Sequence, residues 1–120
     1  MTDSILRDKS KDFAKQTVFV CRKLKENKIE YSLVNQLLRS GTSVGANIHE
    51  AQYAQGTKDF ISKLEIALKE CNESAYWLEL LLDTDSISES DFKFLNEKVI
   101  ELRRMLVSSV TTLKSKLNQQ

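Results

Sequence analysis

The 120-residue chain has no proline, where average usage would supply roughly six. It has three glycines where roughly eight are expected, and all three lie between Gly41 and Gly56. Turn-rich β architectures draw on both residue types at their many turns, so a sandwich or barrel is excluded, as are collagen-like and Pro/Gly-rich linker classes. Long apolar runs are missing too. Runs such as Val18–Cys21 and Leu80–Leu82 are far too short to span a bilayer, and the N-terminus has no secretory h-region. A cytoplasmic protein without membrane attachment is expected. Only two cysteines occur, Cys21 and Cys71, 50 residues apart and in no metal-ligand spacing, so they read as small buried apolar residues in a reducing compartment. What remains is 41% hydrophobic and 29% charged with net charge +1, a composition that folds.

Apolar spacing divides the chain into four long amphipathic segments in one domain, residues 1–120. The first helix is predicted over about 9–27, with Phe13, Thr17, Val20, Cys21 and Leu24 inward. The second spans about 33–55 behind a Ser32 N-cap, with Val34, Leu37, Leu38, Gly41, Val44, Gly45, Ile48 and Gln52 in one stripe. Gly56 should end it in a left-handed conformation. The third covers about 58–82 after a Thr57 cap and buries Phe60, Leu64, Ala67, Cys71, Ala75, Leu78 and Leu82. Ser86 to Glu89 reads as a capping box for the fourth, about 88–117, whose stripe runs from Phe92 through Leu95, Val99, Leu102, Leu106 and Val110 to Leu117. Short loops between long helices favour antiparallel neighbours, so the fold class is all-α, an up-down-up-down four-helix bundle.

Charge is unevenly spread. Residues 31–56 hold two charged side chains, Arg39 and Glu50, while the other 94 positions hold 33. The second helix therefore shows a small, polar, lysine-free face in which Arg39, Ser43, Asn47 and Glu50 fall close together. Three readings fit: an uncharged but solvated face, a tight contact with another helix, or a homo-oligomer interface, the last being the working expectation. Gly41 and Gly45 form a small-xxx-small pair that would admit a neighbouring backbone. A hairpin through Gly56 sets positions summing to about 112 side by side, which pairs Arg39 with Glu73 and brings Glu50 near Ile61 or Ser62.

These residues resemble a known family. Tyr31 through Arg39, then Ser43-Val44, Asn47-Ile48 and Glu50, with Phe60, Leu64, Glu73 and Tyr76-Trp77-Leu78 downstream, are similar to the signature of the four-helix bundle proteins encoded in 23S rRNA intervening sequences, also labelled S23 ribosomal protein. The resemblance covers nearly the whole chain. It departs at Ala51, where the family often has glycine, at His49, which replaces a small residue, and at Glu70-Cys71, where a Gly-Ser step is common. The resemblance implies an all-α bundle that assembles into a homo-oligomer, commonly a pentameric ring. It also implies kinship with the accessory protein of diversity-generating retroelements, which binds nucleic acid and a reverse transcriptase, and no enzymatic activity is established for the family.

Two basic clusters bear on partners. Arg22, Lys23, Lys25 and Lys28 gather at the end of the first helix, and Arg103, Arg104, Lys114 and Lys116 occupy a stretch without acids. Cations at helix C-termini also favour the dipole, so solvated helix ends and RNA or DNA contact both account for them. Off-stripe aromatics, Trp77, Tyr76, Phe19 and Phe94, suit a subunit interface or a protein partner. Enzymatic work finds no support. There is one histidine, His49, which reads as a boundary residue, and Glu70-x-x-Glu73 lacks nitrogen ligands, so no catalytic, cofactor or metal site is expected. The reading is a non-enzymatic nucleic-acid-linked binding protein, with a protein scaffold as the alternative.

Overall fold

Four apolar stripes on one short chain can hide only by turning toward one axis, and the helices do so. In the computed structural model, which describes residues 4–119, α1 spans Ser4–Glu26, α2 Tyr31–Ala51, α3 Thr57–Asp83 and α4 Glu89–Asn118. Each helix packs on its neighbour in the chain, α4 closes on α1, and the diagonal pairs do not meet. The result is an up-down-up-down four-helix bundle, 53 × 22 × 21 Å.

The buried positions keep a 3.5-residue period: Leu6, Ser10, Phe13, Thr17, Val20 and Leu24 on α1, and Phe60, Leu64, Ala67, Cys71, Ser74, Leu78 and Leu81 on α3. A seam of that period keeps facing its partner when helices cross at shallow angles. It also corrects the α3 stripe. Ser74 and Leu81 take the buried places expected for Ala75 and Leu82, which sit half-buried one step around the helix. The α4 stripe is as expected, with Leu95, Val99, Leu102, Leu106 and Val110 buried.

The helix ends differ from the sequence reading. Gly56 is not left-handed; it is extended (φ 179°) and stands as the N-cap of α3, with no side-chain cap. Thr57 is therefore the first helical residue, and the Asp59 carboxylate accepts from the Gln55 N–H at 3.1 Å. The left-handed positions are Lys28 (φ 61°) and Asp85 (φ 55°). Each completes a Schellman turn: Ile29 N–H donates to Leu24 O and Lys28 N–H to Lys25 O, with the same pattern from Ser86 to Leu81 and from Asp85 to Leu82. α2 instead winds out through Gln52, Tyr53 and Ala54, whose N–H groups reach back three residues. α2 starts at Tyr31 with no side-chain cap, so Ser32 does not cap it. At α4 the cap is Ser88, whose Oγ accepts from the Asp91 N–H, two residues later than expected.

The seams differ in kind. At α1–α2 small residues bring the backbones together: a Cβ on Gly41 would stand 2.8 Å from Thr17 Cγ2, and one on Gly45 3.2 Å from the Ser10 carbonyl oxygen. At α2–α3 the buried Ser74 hydroxyl donates to Ser40 Oγ at 3.0 Å. The α1–α4 seam is the sparsest and is laced by Lys9–Glu101, Asp12–Lys98 and Lys23–Asp91 ion pairs.

Candidate nucleic-acid interface

The glycine pair of α2 is spent inside the molecule, against α1, which settles that part of the charge-poor window as an intramolecular contact. Arg39 likewise turns to α3. Its guanidinium bonds Glu73, as the hairpin register predicted, and also reaches Glu70 Oε1 at 3.4 Å. Arg39 holds the Glu73 carboxyl below the ordinary range, against the cost of its partial desolvation; the Trp77 indole contributes a smaller lowering. Glu70 goes the other way, because burial outweighs the attraction of Arg39. The Trp77 indole nitrogen is itself buried without a regular hydrogen bond, and Tyr76, more than half exposed, packs edge-on against that ring at 4.9 Å.

On the outer side of α2 the polar groups satisfy themselves. Ser43 Oγ donates to Arg39 O at 2.7 Å and Asn47 Nδ2 to Ser43 O at 2.8 Å. Ser43 and Asn47 are half-buried and Glu50 is exposed. Back-bonding of this kind lets a helix carry an uncharged face without leaving polar groups unpaired.

The two basic clusters do not converge. α1 and α4 are antiparallel, so Lys23 meets Asp91 at the start of α4, at 2.7 Å. Lys116 lies 25 residues further along, roughly 37 Å at the α-helical rise. The α1 cluster is also partly neutralised: Lys25 Nζ sits 5.3 Å over the Tyr31 ring, while Arg22 and Lys28 remain exposed. On α4, Lys114 pairs with Glu65 at 2.6 Å, Arg103 is half-buried, and Arg104 and Lys116 are exposed. No acid follows Glu101, and the exposed positions Ser108, Thr111, Thr112 and Ser115 add hydroxyls to that face.

A third basic site escaped the sequence reading. Where α1 and α2 touch through Gly45, the small residues Ala14, Thr42 and Ala46 leave an open-sided groove of about 410 Å³. Arg7, Lys11 and His49 line it, with Asp8 as the single acid. The signal was the i, i+4 spacing of Arg7 and Lys11, hidden because Arg7 precedes the predicted start of α1 at about residue 9.

Among the described residues no three His, Cys, Asp or Glu side chains are grouped to hold a metal, and no helix is long and apolar enough to cross a membrane. Cys21 and Cys71 are buried, and burial pushes their thiols up to about 11 and about 12. A family model described as 23S rRNA-intervening sequence protein matches residues 2–108. The crystal structure of a protein of unknown function from the S23 ribosomal protein family of Bacteroides thetaiotaomicron VPI-5482 is 45% identical and superposes with a TM-score of 0.85. The match covers 88% of this chain and 97% of that one. No curated protein matches the chain.

Proposed function

The chain belongs to the 23S rRNA-intervening sequence protein family, and from that premise we propose a non-enzymatic, homo-oligomeric bundle that binds nucleic acid through basic surfaces of α1 and α4. The observation that carries this reading is the C-terminal half of α4. From Arg103 to Asn118 it holds Arg103, Arg104, Lys114 and Lys116, no acid, and a row of exposed hydroxyls. Cations supply the phosphate attraction, and Ser and Thr hydroxyls donate to phosphate oxygens without sequence preference. The α1 cluster is the weaker contributor, since Asp91 and Tyr31 already engage two of its four cations. Assembly would repeat the α4 face and deepen its field. Phe19 and Phe94, each about half exposed on α1 and α4, favour self-association, with a pentameric ring as the form the family resemblance implies.

Mobility shift with single- and double-stranded RNA and DNA at low ionic strength tests the reading, alongside light scattering for assembly. Binding that weakens with salt, and weakens further in Arg103→Ala/Arg104→Ala, is expected. Absent or salt-insensitive binding overturns it, and a monodisperse monomer removes the assembly.

A further inference from the structure

The bundle's cations divide into those with partners and those without. Lys9, Lys23, Arg39, Lys98 and Lys114 each hold a carboxylate. Of the described residues, Arg7 and Lys11 are among the several that hold none, with Arg22, Lys28, Arg104 and Lys116, and these two both line the α1–α2 groove. Its floor is low because Gly45 has no side chain and Ala14 and Ala46 are small. At one end of the groove stands His49, against which the Tyr53 ring leans at 5.5 Å with a 59° tilt. Tyr53 is 74% exposed, the most exposed of the large hydrophobic side chains. Its backbone is nevertheless fixed, since its N–H donates to Glu50 O at 3.0 Å in the final turn of α2.

Two unpaired cations, a half-open hollow and an exposed ring suit a ligand that joins an anion to a flat apolar surface. We propose that this groove seats one unpaired nucleotide of a single-stranded nucleic acid, its phosphodiester against Arg7 and Lys11 and its base on the Tyr53 ring. About 410 Å³ lies within the usual range for small-molecule sites, about 300–1,000 Å³. Base–aromatic stacking needs only a π-face, so the seat is indifferent to sequence and closed to bases stacked inside a duplex, whose faces are already covered. The groove is open on one side, so a strand can run on through the seat, and its neighbouring phosphates add attraction that a free nucleotide lacks. The inference rests on the nucleic-acid reading above but names a different surface from α4.

Fluorescence anisotropy with a short labelled oligo(A) RNA, the corresponding DNA, an RNA duplex and AMP as competitor separates the possibilities, using the full chain and variants checked by circular dichroism. In Arg7→Ala/Lys11→Ala the slope of log K against log salt for the single strand should fall by about 0.7, the one phosphate that the two cations share. Tyr53→Ala should lose at least about fivefold for single strands and leave the duplex unchanged. AMP should compete poorly. If the wild type binds strands but the groove variants bind as well as it does, while Arg103→Ala/Arg104→Ala weakens, the seat is refuted and the α4 reading stands. If AMP competes as well as the strand, the groove is a free-nucleotide site and the strand assignment falls. If the wild type binds no nucleic acid, both readings fall together.

Discussion

Gly41→Ala is the sharpest probe of how α1 and α2 are held together. In a helix interior alanine is better than glycine by about 0.5–1 kcal/mol, so a helix-propensity argument alone predicts stabilisation. The structure predicts the reverse. The new Cβ would lie 2.8 Å from Thr17 Cγ2 and 3.1 Å from Thr17 Oγ1, where ordinary carbon contacts begin near 3.5 Å. Thr17 cannot swing away cheaply. It is β-branched and fully buried, and its hydroxyl donates to Phe13 O at 2.7 Å. Relief therefore comes from separating α1 and α2, which loosens the seam along its length, and overpacking of this kind costs about 1–3 kcal/mol. Set against the propensity gain, the net at the midpoints of both ranges is a loss of about 1.2 kcal/mol, a melting point lower by roughly 5 °C for a domain of this size. The test is a double-mutant cycle read by urea denaturation, with Thr17→Ala as the second change. Once Thr17 is truncated the two closest atoms are gone and only its Cβ, 3.3 Å away, remains, so Gly41→Ala should cost far less or turn neutral, a coupling of at least about 1 kcal/mol. A neutral Gly41→Ala in the wild-type background, or the same cost in both backgrounds, would refute the close-contact account.

Gly56→Ser should stabilise by about 0.5–1 kcal/mol in the same assay, since the residue is extended, has no neighbour within 4 Å of a Cβ, and would gain a capping hydroxyl at α3; a loss would restore the requirement for glycine there. Arg39→Ala and Glu73→Ala should be measurably but modestly non-additive at pH 7, since the pair is largely exposed. Because the Glu73 carboxyl is held below its ordinary range, its share of stability is complete above about pH 4 and disappears as pH falls through the lower folded value; a coupling that persists unchanged at pH 2 argues against the ion pair. Cys21 and Cys71 should resist a thiol reagent at pH 8 in the folded protein and react promptly in denaturant, since their thiols are buried and held protonated.

The core was legible because burial is periodic. The stripes on α1 and α4 could be read from their apolar spacing. α3 drifted after Cys71, where Ser74 and Leu81 took places that apolar spacing assigned to Ala75 and Leu82. On α2 the buried Ser40 lay outside the expected stripe, while Leu38 and Gln52 are half-buried. Arg39–Glu73 was legible for a related reason, since a two-helix hairpin fixes which positions lie opposite. Glu70 was missed because one guanidinium can serve two carboxylates a turn apart, which a register sum does not express. Helix ends were the weak point. Glycine is the favoured left-handed residue, yet Lys28 and Asp85 adopt that conformation while Gly56 does not, because the Schellman hydrogen bonds at those ends hold the backbone there. The basic groove was invisible for a spatial reason: Arg7 and His49 are 42 positions apart and meet only across the seam that Gly45 makes close.

The uneven seams give the bundle a grain. α1, α2 and α3 are joined by small residues and buried hydroxyls that fit in one register, whereas the α1–α4 seam is the sparsest and adds to its apolar packing three charge pairs that water and salt can replace. Amide hydrogens on α4 should therefore exchange through a partial opening that leaves the other three helices protected, and added salt should speed that exchange selectively. The helix that bears the proposed nucleic-acid face thus also borders the seam most easily opened.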